Sequence, residues 1–202
     1  MPEEECDGRS LRSAATRVAL VTAARELFVQ RGYAAVSTSD IARAAAVTRN
    51  ALYYHFPTKE AVFRAVYEDV ERQLAARVIP AALAGSTARE RLAIGCEMFL
   101  DGCLDPAVTR ISILDAPAAL GFSQMREIDN QNYLCTLRDA LHAAVESGEL
   151  VDVPVDALAS MLIGALDEAA LFIASAEDRK AARVEAGTVA AALVAGLFTT
   201  GA

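Results

Sequence analysis

Two tyrosines, an arginine and an asparagine fall together in the stretch RNALYYHF, Arg49 to Phe56. On a helix, Val47, Leu52 and Phe56 turn to one side while Arg49, Asn50, Tyr53 and Tyr54 lie on the other. A two-turn helix gains no stability by displaying such a set. What the set offers is outward hydrogen bonding. An arginine fork fits the acceptor edge of guanine, an asparagine amide fits adenine, and phenolic hydroxyls reach phosphates. Nothing acidic adjoins Arg49 in the sequence to neutralise it. Lys59, in the first turn of the next helix, would add its ammonium to that helix's own free N–H groups, an arrangement suited to phosphate.

The elements that must position these groups carry clear punctuation. Ser37 with Asp40 three residues on has the form of a capping box, so a helix is predicted from Thr38, with Ile41, Ala42 and Ala45 on its apolar face. Thr48 is a second N-cap, and the residues between make a tight corner. Two short capped helices, the second displaying polar groups, describe a helix-turn-helix with its recognition helix. A longer helix precedes them from Leu11 to Arg31, with Val18, Leu20, Val21, Ala24, Leu27 and Phe28 as its inner stripe and Gly32 as C-cap. Its opening arginines, Arg9, Arg12 and Arg17, either follow a DNA backbone or are simply solvated. Pro57 breaks the chain, and Thr58 caps a fourth helix that runs to about Ile79, with Pro80 as its end or a kink.

From Thr16 to Phe63 the sequence resembles the DNA-binding domain of TetR-family transcriptional regulators. The resemblance rests on the AA-x-x-LF-x-x-x-GY run ending at Tyr33, the D-IA of Asp40 to Ala42, the V-T followed by LYYHF, and the TKE of Thr58 to Glu60. One departure is Ala46, at the corner where the family usually has glycine. If that corner needs positive φ, alanine costs about 1 kcal/mol relative to glycine. The resemblance implies base-edge contacts from Arg49, Asn50 and Tyr53, and phosphate contacts from Ser37, Thr38, Tyr54, His55 and Lys59. The alternatives are a buried structural histidine at His55 and Tyr53 and Tyr54 hydroxyls packed within the domain. It further implies a homodimer joined through the two C-terminal helices, a pseudo-palindromic DNA operator, and repression relieved by a small-molecule effector.

Charge agrees with a DNA-binding head. The chain of 202 residues has a net charge of −8, yet residues 9–64 carry nine basic residues against three acidic ones, net +6. Residues 65–202 carry ten basic and twenty acidic residues. A basic head on an acidic body directs phosphate binding to one end. The acidic start, MPEEECDG, is unlike a signal peptide. The longest uncharged run, Ala186 to Ala202, is marginal for a membrane span. The four cysteines (Cys6, Cys96, Cys103, Cys135) lack C-x-x-C spacing, which argues against zinc and fits a reducing cytoplasm. The expected organisation is all-α with about nine helices: a flexible tail over residues 1–10, a helix-turn-helix domain over 11–64, and an effector-binding and dimerisation domain over 65–202.

In that body the last two helices, about Asp156 to Ser175 and Arg179 to Thr199, are apolar nearly all round, which calls for a partner chain to cover the second side. Asp167 and Glu168 interrupt the first of them. Two carboxylates there need a polar cavity or a counter-charge, from Arg110, Arg126, Arg138 or the dimer mate. The apolar bulk of the central helices suggests an effector pocket lined by Met98, Phe99, Phe122, Met125, Tyr133 and Asp167. Cys96 and Cys103 share a helical face without a basic neighbour. No catalytic motif, metal-ligand cluster or cofactor loop is present, and His142 has no partner at triad spacing. Two further readings compete: a small-molecule-binding protein without specific DNA binding, which only Ala46 favours, and a thiol redox-sensing regulator.

Overall fold

The computed structural model describes the backbone of residues 3–198 and side chains from Leu11 onward. Helix α1 spans Glu3–Arg31, so the tail expected over residues 1–10 is helical from Glu3 on. Gly32 ends α1 with φ 76, and the Arg110 guanidinium occupies the space that a Cβ there would need. Ser37 and Asp40 form the expected capping box before α2 (Thr38–Ala44). Thr48 caps α3 (Arg49–His55) through the Ala51 N–H, and Thr58 caps α4 (Lys59–Leu83) through the Ala61 N–H. Helix α4 continues three residues beyond Pro80. At the corner between α2 and α3, Ala46 takes φ 55. The left-handed geometry that glycine would supply is thus retained by alanine, at a cost of about 1 kcal/mol.

The body follows as α5 (Ala88–Gly102), opened by a Thr87–Glu90 capping box. A π-helical segment, Val108–Asp115, runs into the short α6 (Ala116–Ala119). The single helix expected over Ser123 to Ser147 is α7 (Gly121–Asp129) and α8 (Cys135–Glu146) joined by a π turn at Asn130–Leu134. Helices α9 (Val155–Ser175) and α10 (Arg179–Leu197) close the fold. The end expected for the last helix, Thr199, lies outside the described residues. Among the described residues there is no strand, only one isolated bridge between Leu150 and Phe198.

One apolar core joins head to body. Phe28, Tyr33 and Phe63 meet edge to face, with Phe28–Phe63 centroids 5.2 Å apart and Tyr33–Phe63 centroids 4.9 Å apart. The same cluster continues along α4 through Val66, Val70 and Leu74 to Ile111, Ala116, Leu120 and Ile128. The boundary expected between residues 64 and 65 therefore falls inside one continuous helix and one core. Two further clusters bind α5 to α8, α9 and α10. Arg183 clips α10 to α5 through Glu97 and Asp101.

Helix α9, with 21 residues and a mean hydropathy of 1.8, is long and apolar enough to cross a membrane. Here one side of it packs on α5, α8 and α10. The other side is open: Met161 is 74% and Phe172 48% exposed, and on α10 Val184 is 63%, Val189 60% and Leu193 53% exposed.

Candidate nucleic-acid interface and ligand cavity

Helix α3 presents Arg49, Asn50, Tyr53 and Tyr54 to solvent while Leu52 is fully buried beneath them. The Tyr53 hydroxyl lies 3.1 Å from the Thr38 hydroxyl, and the Arg49 guanidinium sits 6.0 Å from the Tyr53 ring centre. Those two neighbours, Thr38 first, hold the Tyr53 phenol below its ordinary value. Tyr54 is 82% exposed and meets the half-buried His55 ring edge-on at 5.2 Å. The two residues expected at phosphates with the firmest attachments inside the head are Ser37 and Lys59. The Ser37 hydroxyl is engaged by Asp40 in the cap. Lys59 Nζ donates to the Tyr33 carbonyl at 3.0 Å and lies 4.1 Å from the Tyr33 ring centre. Arg17 stacks over Phe56 at 4.7 Å, which ties it to the head's own surface.

The body holds a cavity of about 1160 Å³, partly open to solvent, among α4, α5, the 108–119 segment, α7, α8 and α9. Of the residues expected to line it, Phe99, Phe122, Met125, Tyr133 and Asp167 do. Met98 does not: it lies one step, about 100°, around α5 from Phe99 and turns away from the space. Glu168 also borders the cavity, and it reaches the groove between α9 and α10 as well. The structural counter-charges considered for Asp167 are largely committed elsewhere. Arg110 binds Asp115 and Arg138 binds Asp156. Arg126 borders the cavity, and its charge partly offsets the burial that raises Asp167 above the ordinary carboxyl range. Asp167 is exposed to solvent and lines the cavity.

Two acids missed in the sequence share this space. Glu71 on α4 is 4% exposed, and burial pushes its carboxyl up to about 8. Asp129 at the end of α7 is pushed up to about 6 by burial, although it accepts a hydrogen bond from the Tyr67 hydroxyl at 3.1 Å. The Ser112 Oγ, beside Glu71, is buried without a hydrogen bond of ordinary geometry. The signal for Glu71 was present in the spacing. It stands four residues after Tyr67 and three before Leu74, on the inward face of α4.

The cavity wall is tied directly to the head. Val108, Ser112, Ile113 and Leu114 of the π-helical segment line the cavity. Asp115, the last residue of that segment, accepts a hydrogen bond from the Tyr33 backbone N–H at 2.7 Å and another from Arg110 Nε at 3.1 Å. Helix α7 adds a second tie, Arg64 to Glu127 at 3.2 Å and Gln124 to Glu60 at 3.0 Å. Two of the thiols, Cys96 and Cys103, are buried, while Cys135 is exposed. Burial pushes Cys96 up to about 11 and Cys103 up to about 12, away from the thiolate form that reacts.

A helix-turn-helix head sharing its core with an all-helical, cavity-bearing body defines a ligand-responsive DNA-binding transcriptional regulator. The chain belongs to the TetR family: residues 20–66 match the bacterial regulatory proteins of the tetR family, and residues 89–197 match the tetracyclin repressor-like C-terminal domain. It is 27% identical over 151 residues to the transposon Tn10 TetC protein of Escherichia coli, covering 74% of this chain and 75% of that one. A TetR-family transcriptional regulator from Pectobacterium atrosepticum has a similar structure, with a TM-score of 0.81 and 29% identity over 95% of this chain and 98% of that one. The fold is also that of FadR from Bacillus subtilis, solved with stearoyl-CoA, with a TM-score of 0.73 and 23% identity over 88% of this chain and 96% of that one.

Proposed function

We propose that the protein is a homodimeric, cytoplasmic repressor whose two heads bind a pseudo-palindromic operator and are released when a small molecule fills the body cavity. The observation that carries this reading is the double role of residues 108–115, which line the cavity with one face and hold the head through Asp115 at their end. A ligand that binds better to one arrangement of this wall than to another shifts the population of head positions by its differential affinity. Arg49, Asn50 and Tyr53 would read base edges, and Thr38, Tyr54 and His55 would meet phosphates. Ser37 and Lys59 would act mainly by fixing the helices that carry them.

The dimer would form through α9 and α10. Their open apolar side carries Met161, Phe172, Val184, Val189 and Leu193, and a groove of about 420 Å³ runs between the helices. Contiguous apolar surface of this kind marks an interaction site, and a two-fold pairing would cover it with its own copy. Selection of binding sequences from a random duplex pool, with sedimentation of the same sample, tests both parts. Two inverted half-sites and a dimer at micromolar concentration are expected. A monomer showing no sequence preference would overturn the reading.

A further inference from the structure

We infer that the cavity takes an apolar molecule carrying one cationic nitrogen, a lipophilic amine or quaternary ammonium, seated with its charge among Glu71, Asp129 and Asp167. This rests on the reading of the cavity as the effector site and adds the chemical class of the effector. Three carboxyls converge from three different helices, α4, α7 and α9, onto one space. The groups around Glu71 are Tyr67 on its own helix, Ser112 from the π-helical segment, Cys103 after α5, Asp129 and Asp167. Arg126 is the positive charge bordering that end, and it acts on Asp129 and Asp167. Carboxyl groups therefore outnumber it.

Ionised carboxyls in apolar surroundings are costly, and a single arginine, Arg126, offsets Asp129 and Asp167 only in part, leaving Glu71 without a positive neighbour among the groups that act on it. A metal ion does not fit: among the described residues no three His, Cys, Asp or Glu side chains are grouped to hold one. An organic cation needs no such tight convergence, since its charge is spread and its contacts are longer. The rest of the lining suits the body of such a molecule. Phe99, Phe122 and Tyr133 line the cavity with aromatic rings, a type of side chain that attracts cations, and Met125 adds an adaptable apolar contact. The buried Ser112 Oγ stands beside Glu71 at the same end. An anionic ligand would instead place its charge where these carboxyls, once ionised, repel it.

The sign of the pH dependence separates a cation from a neutral hydrogen-bond acceptor. Glu71 and Asp129 hold protons up to about pH 8 and about pH 6 respectively. A bound cation favours their ionised forms, so its affinity rises with pH through that interval and protons leave on binding. A neutral carbonyl ligand needs Glu71 protonated, so its affinity falls over the same interval.

Three probes of matched chain, dodecyltrimethylammonium, dodecanol and dodecanoate, titrated below micelle formation into the full-length protein by calorimetry, decide the matter. The ammonium should bind about tenfold or more tightly than the carboxylate at pH 7, and more tightly as pH rises. Glu71→Gln with Asp129→Asn and Asp167→Asn should erase that preference. Dodecanoate binding as tightly as the ammonium in the unaltered protein, or ammonium affinity falling with pH, would overturn the inference. Operator affinity, measured separately, keeps the two readings apart. Release of operator by dodecanoate but not by the ammonium would refute the cationic class and support the effector reading. Selective ammonium binding that leaves operator affinity unchanged would refute the effector reading and support the cationic cavity.

Discussion

Asp115→Ala is the change that bears most directly on how the cavity speaks to the head. The Asp115 side chain is only 14% exposed and holds two donors, the Tyr33 N–H at 2.7 Å and Arg110 Nε at 3.1 Å. Removing it strips a charged acceptor from a backbone N–H at the half-buried residue that follows α1. A hydrogen bond of that kind is worth about 1.5–3 kcal/mol. The Arg110 side chain is 40% exposed, so water takes over much of its share, and that pair adds at most about 1 kcal/mol. A total near 2–3 kcal/mol corresponds, for a chain of this size, to a fall of roughly 4–12 °C in Tm. The functional readout is operator affinity by fluorescence anisotropy, with the cavity empty and then saturated by the tightest-binding of the three dodecyl probes. Probe affinity should stay within about twofold, because Asp115 does not line the cavity. The ratio of operator affinities, empty to filled, should shrink toward one. Asp115→Asn keeps an oxygen acceptor for the Tyr33 N–H and should retain most of the coupling. A lower Tm with an unchanged ratio in Asp115→Ala would show that this contact only holds the fold together, and the relay argument would fail.

Other changes test single contacts. Arg49→Ala should weaken operator binding by about 1–3 kcal/mol and relax preference at one base pair, as read by competition with point-mutated operators. Lys59→Ala should lower thermal stability, since it removes a bond to the Tyr33 carbonyl, and should leave the salt dependence of DNA binding nearly unchanged. A slope reduced by about one unit would instead mark a phosphate contact. Glu71→Gln addresses pH. A carboxyl raised to about 8 in the folded state stays protonated there while the unfolded chain has lost its proton, so stability declines as pH climbs from about 5 to about 8. Urea titrations should show a decline approaching a few kcal/mol in the unaltered protein and a much flatter profile in Glu71→Gln; equal slopes would mean Glu71 is not the titrating group.

The head was legible because its signals are local. Ser37, Thr48 and Thr58 are caps whose partners lie three residues away, and the structure forms all three. Ala46 could be located as the corner, although only the observed φ of 55 shows that alanine accepts the glycine geometry. The cavity was less legible because its lining is assembled from helices distant in sequence. Phe99, Phe122, Met125, Tyr133 and Asp167 were reachable by apolar bulk alone, whereas Met98 has the same bulk and the wrong helical phase. Glu71 was passed over because a glutamate in a helix rich in charge, among Glu68, Asp69 and Arg72, looks like a solvated residue until its angular position is counted. The latch between Asp115 and Tyr33 spans 82 residues and joins a side chain to a backbone N–H, which no residue pattern records.

Helix α4 runs 25 residues from the head at Lys59 to the cavity rim at Leu83, and Glu71 stands at its midpoint. At about 1.5 Å per residue its half-length is roughly 18 Å. A lever pivoting at that midpoint by about 5° carries its head end about 1.6 Å sideways. Opposite motions in a two-fold pair would change the head-to-head spacing by about 3 Å, close to the 3.4 Å rise of one base-pair step. An operator whose half-sites match one spacing would then be out of register by one step in the other. Glu71, the most deeply buried acid of the cavity lining, stands at that midpoint, so a lever of this kind would turn about the part of α4 that the core grips most firmly.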